Sequence, residues 1–263
     1  MLHLVCGPSG SGKTARLAEM IRKNVEAGVP CILLVPEQQV YTSEREFPKS
    51  LPKNAGRYFE ILSFTGLSEK IFRRFGGLQF SGTSQSVRSL IMWKVLRNLG
   101  SQLDGLANKS DAALTKLMLS AVEDLRINGI LPDDLQAAAE VMPEHDPLKT
   151  KLENLMKVSL SYREQMETLF GDKVPEERLA RMSRILSENR VFSDTEIYVD
   201  SFTSFTHDEN KVLFELMKQA KNLTLTLCLD RLSSGRRHFK SISDTGNHLK
   251  TLAEKACVEC ETT

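Results

Sequence analysis

Short apolar runs alternate with segments of helical periodicity along residues 1–77. Three of these runs, at residues 2–6, 31–36 and 60–64, are continuous enough to form strands that are buried on both faces. The segments that follow them repeat apolar residues every three or four positions, as amphipathic helices do. This alternation predicts a parallel sheet covered by helices.

The pattern changes between residues 84 and 189, where helical periodicity continues without a clear buried strand. Strand-like runs return at residues 196–200 and 223–230, on either side of another helical pattern. The sequence therefore predicts a discontinuous α/β domain, residues 1–83 and 190–263, interrupted by an all-helical subdomain at residues 84–189.

Composition limits the class of protein. Lys and Arg number 35 against 34 Asp and Glu, so the net charge of +1 gives no global attraction to nucleic acid. No apolar run approaches the roughly 18 residues that a membrane span needs, and no signal peptide is evident. The five cysteines fit a reducing compartment, and we interpret Cys257 and Cys260 as ordinary thiols. We expect a soluble, cytoplasmic protein without a membrane partner.

The strongest chemical signal is the segment GPSGSGKT between the first strand and the first helix. It matches the P-loop pattern G-x-x-x-x-G-K-[ST], whose backbone N–H groups and helix N-terminus bind phosphate. We expect Lys13 to reach the β- and γ-phosphates of ATP and the Thr14 hydroxyl to bind Mg²⁺. The predicted ATP site comprises Gly7, Pro8, Ser9, Gly10, Ser11, Gly12, Lys13 and Thr14.

Asp200 ends a later strand of the same predicted sheet, where an aspartate holds Mg²⁺ through water in related sites. A solvated aspartate without a metal role is the alternative. ATP-hydrolysing motors place a second acid directly after this aspartate, but the next residue here is Ser201. Because a hydroxyl cannot polarise the attacking water as a carboxylate does, we expect ATP binding with weak or no hydrolysis.

Four segments together resemble the AddB family, the B subunits of bacterial ATP-dependent helicase/deoxyribonuclease complexes. They are GPSGSGKT, LLVPEQQVYTSEREF, EILSFTGLSEKIFRRFGG and VDSFTSFTHDE, beginning at residues 7, 33, 60 and 199. The resemblance implies a P-loop NTPase domain of the RecA-like, superfamily-one helicase type with a large helical insertion. It also implies DNA-end processing in double-strand-break repair, with a helicase/nuclease A subunit as partner.

Family members are much longer, and the resemblance covers their N-terminal region. In this family the B subunit resembles an inactivated helicase with a small residue after the aspartate, a pattern that Ser201 fits. The family's nuclease domain and iron–sulfur cysteines have no counterpart in these residues, so we expect no iron–sulfur cluster here.

The resemblance also implies contacts with single-stranded DNA at the tips of two strands. Gln38, Ser63, Phe64 and Thr65 match positions that touch the DNA backbone or stack on bases in related helicases. In the alternative, Phe64 packs in the core while Ser63 and Thr65 cap the next helix.

Two other classes of protein share a P-loop. A small P-loop kinase would close a flexible, arginine-bearing lid over its phosphates, and the helical insertion is too large for such a lid. An interaction module with a vestigial P-loop would contact partners without binding nucleotide.

Overall fold

A computed structural model describes most of the chain, in seven stretches. These are residues 1–47, 51–52, 55–76, 83–106, 111–170, 178–229 and 240–263. The chain divides into two compact units, which we call unit 1 (Met1–Leu78 with Arg178–Thr263) and unit 2 (Gln79–Glu177).

Unit 1 contains a six-stranded sheet in which every pair of neighbouring strands is parallel, in the order β3-β2-β4-β5-β1-β6. The strands are β1 (Leu2–Gly7), β2 (Cys31–Leu34), β3 (Phe59–Leu62), β4 (Glu196–Val199), β5 (Asn222–Cys228) and β6 (Cys260–Thr262). The predicted α/β class with a parallel sheet is confirmed. The predicted strand at residues 223–230 corresponds to β5, and Asp230 lies outside the described residues.

The described residues also contain ten α-helices, of which α4 to α7 belong to unit 2. They are α1 (Lys13–Glu26), α2 (Val40–Glu46), α3 (Phe64–Phe75), α4 (Gln85–Leu99), α5 (Ala112–Ile127), α6 (Pro132–Glu140), α7 (Pro147–Phe170), α8 (Arg178–Glu188), α9 (His207–Gln219) and α10 (Lys240–Lys255). None of the helices described is both long enough and apolar enough to cross a membrane.

The central strands of the sheet are covered on both faces. In β4, Ile197 and Val199 join one apolar cluster, whereas Tyr198 between them joins a second cluster. Successive side chains of a strand point to opposite faces, so the two clusters lie on opposite sides of the sheet. The first cluster includes α3, α8, α9 and α10, and the second includes α1.

The helix α8 lies within unit 1, whereas the sequence pattern placed these residues in the helical subdomain. Met182, Ile185 and Leu186 are buried in the same cluster as residues of α3 and α9. Helical periodicity shows that such a helix has an apolar face, but it does not show which core receives that face. The structural boundary between the units therefore precedes α8.

Unit 2 has an apolar core of its own, formed by α4, α5 and α7 with the segment after α4. A buried amide fixes that segment to α7: Asn154 Nδ2 donates to the Asp104 carbonyl at 2.8 Å, and Asn154 Oδ1 accepts from Asp104 N at 3.1 Å. In the part of unit 2 that the structure describes, all regular structure is helical.

Two leucines of α5 test this packing. Leu119 is 3% exposed in the core of unit 2, whereas Leu117 is 64% exposed on the same helix. We expect Leu119→Ala to lower the free energy of unfolding by about 2–5 kcal/mol, because it leaves a cavity. Leu117→Ala should change it by about 0.5 kcal/mol or less.

Urea denaturation can follow this difference through Trp93, the only tryptophan of the chain, which lies on α4 in unit 2. Equal destabilisation by the two substitutions would contradict the assigned core.

Candidate functional site

The glycine-rich loop connects β1 to α1 and takes backbone conformations that suit glycine. Gly10 and Gly12 have φ angles of 80° and 85°, in the left-handed region that disfavours residues with a Cβ. At Gly7, a Cβ would lie 2.5 Å from Ser11 Oγ, so the loop closes tightly on its own first residue. Gly10 and Gly12 are therefore conformational requirements of this turn, whereas Gly7 allows the close approach of Ser11.

The loop ends at the N-terminus of α1, which has no side-chain cap. Gly12 occupies the N-cap position without a side-chain hydrogen bond, and the first turn contains no acidic residue. The first N–H groups of a helix have no acceptor within that helix, and the helix dipole adds partial positive charge there. This helix start therefore offers amide donors to an anion.

Lys13 adds a full positive charge to the loop. Its ammonium Nζ donates to the carbonyl oxygens of Gly7 at 2.7 Å and Pro8 at 2.8 Å. The side chain thus bends back over the loop instead of extending into solvent. A phosphate held by the loop would meet this cation.

Asp200 follows β4 and accepts hydrogen bonds from two hydroxyl groups. Thr14 Oγ1 donates to Asp200 Oδ2 at 2.9 Å, although 186 positions separate the two residues, and Thr226 Oγ1 donates to Asp200 Oδ1. Asp200 is only 5% exposed. The structure therefore brings Thr14 and Asp200 together, as their predicted roles require.

Thr226 is a site residue that the sequence pattern alone did not reveal. It lies on β5, the strand between β1 and β4, and is 3% exposed. In β5 the run LTLTLC places threonines at alternate positions between apolar residues. A buried hydroxyl needs a hydrogen-bond partner, so this alternation was the available signal.

The loop and the residues after β4 line one cavity of about 430 Å³. Its lining includes Ser9, Gly10, Lys13, Thr14, Asp200 and Cys228. It combines the helix start and its amide donors with the carboxylate of Asp200 and the hydroxyl of Thr14. Mg²⁺ commonly takes only one or two protein oxygens and completes its shell with water and substrate phosphates, so this donor set fits a Mg²⁺–nucleotide complex.

Ser201 lies next to Asp200 in an unusual backbone conformation. Its φ angle is 68°, and it is one of two non-glycine residues with positive φ in the described part of the chain. The side chain is exposed and lines the same cavity as Asp200. The chain therefore turns sharply directly after the aspartate, at the position where motors carry their second acid.

The four candidate DNA contacts fall into two groups. Phe64 is 5% exposed, and its ring packs edge-on against Phe202 at a centroid distance of 5.6 Å. Ser63 is also 5% exposed and caps α3, because its Oγ accepts from Gly66 N at 3.1 Å. For these two residues the structure favours the alternative of core packing and capping. Gln38 and Thr65 are exposed.

Fold and site together define an α/β protein with a glycine-rich loop, a lysine and a distant aspartate around one cavity. Residues 4–263 match the profile of the family described as ADDB, N-terminal. The chain belongs to this family, as the resemblance of its four segments indicated.

Several curated relatives share one name, which describes the B subunit of an ATP-dependent helicase/deoxyribonuclease. One from Clostridium botulinum (strain Loch Maree / Type A3) is 28% identical over 96% of this chain and 22% of its own length. One from Acetivibrio thermocellus is 24% identical over 99% of this chain and 23% of its own. One from Caldanaerobacter subterraneus subsp. tengcongensis is 29% identical over 87% of this chain and 20% of its own. The chain spans about a fifth of the length of these relatives.

Two serines of the segment after β4 test the turn at Ser201. Ser201 has positive φ, whereas Ser204 does not, and both are exposed. We expect Ser201→Val to lower the free energy of unfolding by about 1–2 kcal/mol, because a β-branched residue is strained in the left-handed region. Ser204→Val should have an effect of about 0.5 kcal/mol or less. Calorimetric unfolding measures both, and equal effects would argue against a strained turn.

Proposed function

We propose that this chain is the ATP-binding, helicase-like part of a helicase/deoxyribonuclease B subunit that takes part in DNA repair. The family match and the names of the curated relatives support the class of protein. The strand order, with β5 between the P-loop strand and the aspartate strand, is consistent with a RecA-like P-loop NTPase domain.

One observation supports the nucleotide site above the others. The hydroxyl that should bind Mg²⁺ and the carboxylate that should assist it are joined by the bond from Thr14 Oγ1 to Asp200 Oδ2. These residues come from opposite sides of unit 2 in the sequence, so only the folded sheet brings them together.

Each part of the site has its own role in binding ATP–Mg²⁺. The loop amides and the start of α1 bind phosphate oxygens, Lys13 neutralises their charge, and Thr14 and Asp200 orient the metal and its water. Ser201 supplies no carboxylate to take a proton from attacking water, and its turn directs the backbone away from an extended path. Nucleotide binding with weak or no hydrolysis follows from this arrangement.

The DNA proposal rests on the exposed candidates only. Gln38 follows β2 and Thr65 lies in the first turn of α3 after β3, and these strands are neighbours. Carboxyl ends of parallel strands meet at one edge of the sheet, so both side chains lie near the edge that carries the glycine-rich loop. We assign them to backbone contacts with single-stranded DNA, and we expect a helicase/nuclease A subunit as the protein partner.

Thermal unfolding tests nucleotide binding. A ligand that binds only the folded state at a hundredfold excess over its Kd adds about 2.7 kcal/mol to stability, so MgATP should raise the Tm by several degrees. A non-hydrolysable analogue should do the same if hydrolysis plays no part. Lys13→Ala should abolish the shift, whereas Lys23→Ala, at an exposed position farther along α1, should retain it.

Other outcomes would identify the alternative classes. Absence of any shift in the unaltered chain would indicate an interaction module with a vestigial loop. Release of ADP that depends on an added phosphate acceptor would indicate a kinase. Steady hydrolysis at several turnovers per second, lost in Lys13→Ala, would falsify weak hydrolysis.

Fluorescence anisotropy with a labelled single-stranded oligonucleotide tests the DNA contacts. The double variant Gln38→Ala/Thr65→Ala removes two proposed hydrogen bonds of about 1 kcal/mol each, so its Kd should rise about tenfold or more. The control Gln136→Ala/Thr168→Ala changes the same residue types at exposed positions of unit 2. Equal weakening in both double variants would refute the assignment.

A further inference from the structure

We propose that Thr226 is a positioning residue for the Mg²⁺–nucleotide site, acting through Asp200. This inference rests on the proposed nucleotide-binding function and adds a residue that neither the P-loop pattern nor the strand-end aspartate identifies. Thr226 touches neither metal nor nucleotide in the proposal. Its contribution is to fix the orientation of the Asp200 carboxylate, on which the binding of both the metal and the nucleotide depends.

The sheet register places Thr226 beside Asp200. Val199 of β4 pairs with Leu225 of β5, so the next residues along these two parallel strands, Asp200 and Thr226, lie at the same level. On its other side, Thr226 pairs with Val5 of β1, two residues before the glycine-rich loop begins. Thr226 thus lies on a central strand, between the strand that precedes the glycine-rich loop and the strand that precedes Asp200.

In both hydrogen bonds to Asp200, the threonine hydroxyl donates and the carboxylate accepts. An ionised carboxylate only accepts, and each threonine hydroxyl has one proton to donate. Thr226 gives its proton to Asp200 Oδ1 and Thr14 gives its proton to Asp200 Oδ2. The lone pairs of Thr14 Oγ1 therefore remain free, and their direction depends on where Oδ2 lies.

This arrangement makes the orientation of Thr14 depend on Thr226. Without the Thr226 hydroxyl, Asp200 Oδ1 loses a buried donor and the carboxylate can rotate about its side-chain bonds. Oδ2 then no longer fixes the Thr14 hydroxyl in the direction in which its lone pairs can bind Mg²⁺. Partners that orient metal ligands in this indirect way commonly change metal affinity by about 10–100-fold when they are removed.

Thr224 provides a matched control. It is 1% exposed, lies two residues earlier on the same face of β5, and pairs with Tyr198 instead of lying beside Asp200. Valine is close to threonine in shape, so Thr224→Val and Thr226→Val remove the same hydroxyl group from the same strand. Only the second removal affects the carboxylate.

The experiment measures the affinity of the chain for a fluorescent ATP analogue, with Mg²⁺ and with EDTA in its place. We expect Thr226→Val to weaken binding about 10–100-fold in Mg²⁺ and to leave it unchanged in EDTA. Thr226→Ser, which keeps the hydroxyl, and Thr224→Val should both bind like the unaltered chain. Adding Thr226→Val to Asp200→Ala, which removes the acceptor of the Thr226 hydroxyl, should cause no further loss, because the effect passes through Asp200. If Thr226→Val does not fold, Thr226→Ala, which also removes the hydroxyl, takes its place in the experiment.

The outcomes separate this inference from the function on which it rests. Tight, Mg²⁺-dependent binding by the unaltered chain together with equal binding by Thr226→Val would overturn the positioning role alone. Equal losses in Mg²⁺ and EDTA would also overturn it, because a purely structural role predicts them. If the unaltered chain does not bind the analogue, the proposed function fails and the positioning role fails with it.

Discussion

The geometry of the site depends on the carboxylate of Asp200. It is almost completely buried, and a buried charge is stable only where hydrogen-bond donors replace the lost water. Those donors are hydroxyl groups from the start of α1 and from β5. Strands β4 and β5 and the loop after β1 must therefore converge before the charge can be accommodated, which couples the geometry of the site to the correct pairing of the sheet.

The sequence was sufficient for those parts of the fold that depend on local pattern. The strands β2 and β4 were predictable because every one of their residues is buried, which leaves an apolar run at residues 31–34 and another at residues 197–199 after Glu196. The glycine-rich loop was predictable because its backbone conformation restricts the residues that can occupy it. Both are constraints that act within a few residues.

Features that depend on distant contacts could not be predicted in the same way. The packing of α8 with α3 and α9, the burial of Phe64 against Phe202, and the bond from Thr226 to Asp200 each join residues far apart in the chain. Strand β6 has little apolar character and forms because its backbone pairs with β1. In each case the local sequence is compatible with the contact, but the contact forms only because the tertiary structure brings the two partners together.

The strand order has a consequence for synthesis on the ribosome. Both neighbours of β1, namely β5 and β6, come from the last part of this chain, so β1 emerges first among the strands and is the last to find its partners. At translation rates of about 5–20 residues per second, this interval of over two hundred residues lasts on the order of ten seconds or more. Throughout that time β1 lacks both of its partner strands, so its unpaired backbone N–H and C=O groups are open to pairing with another chain.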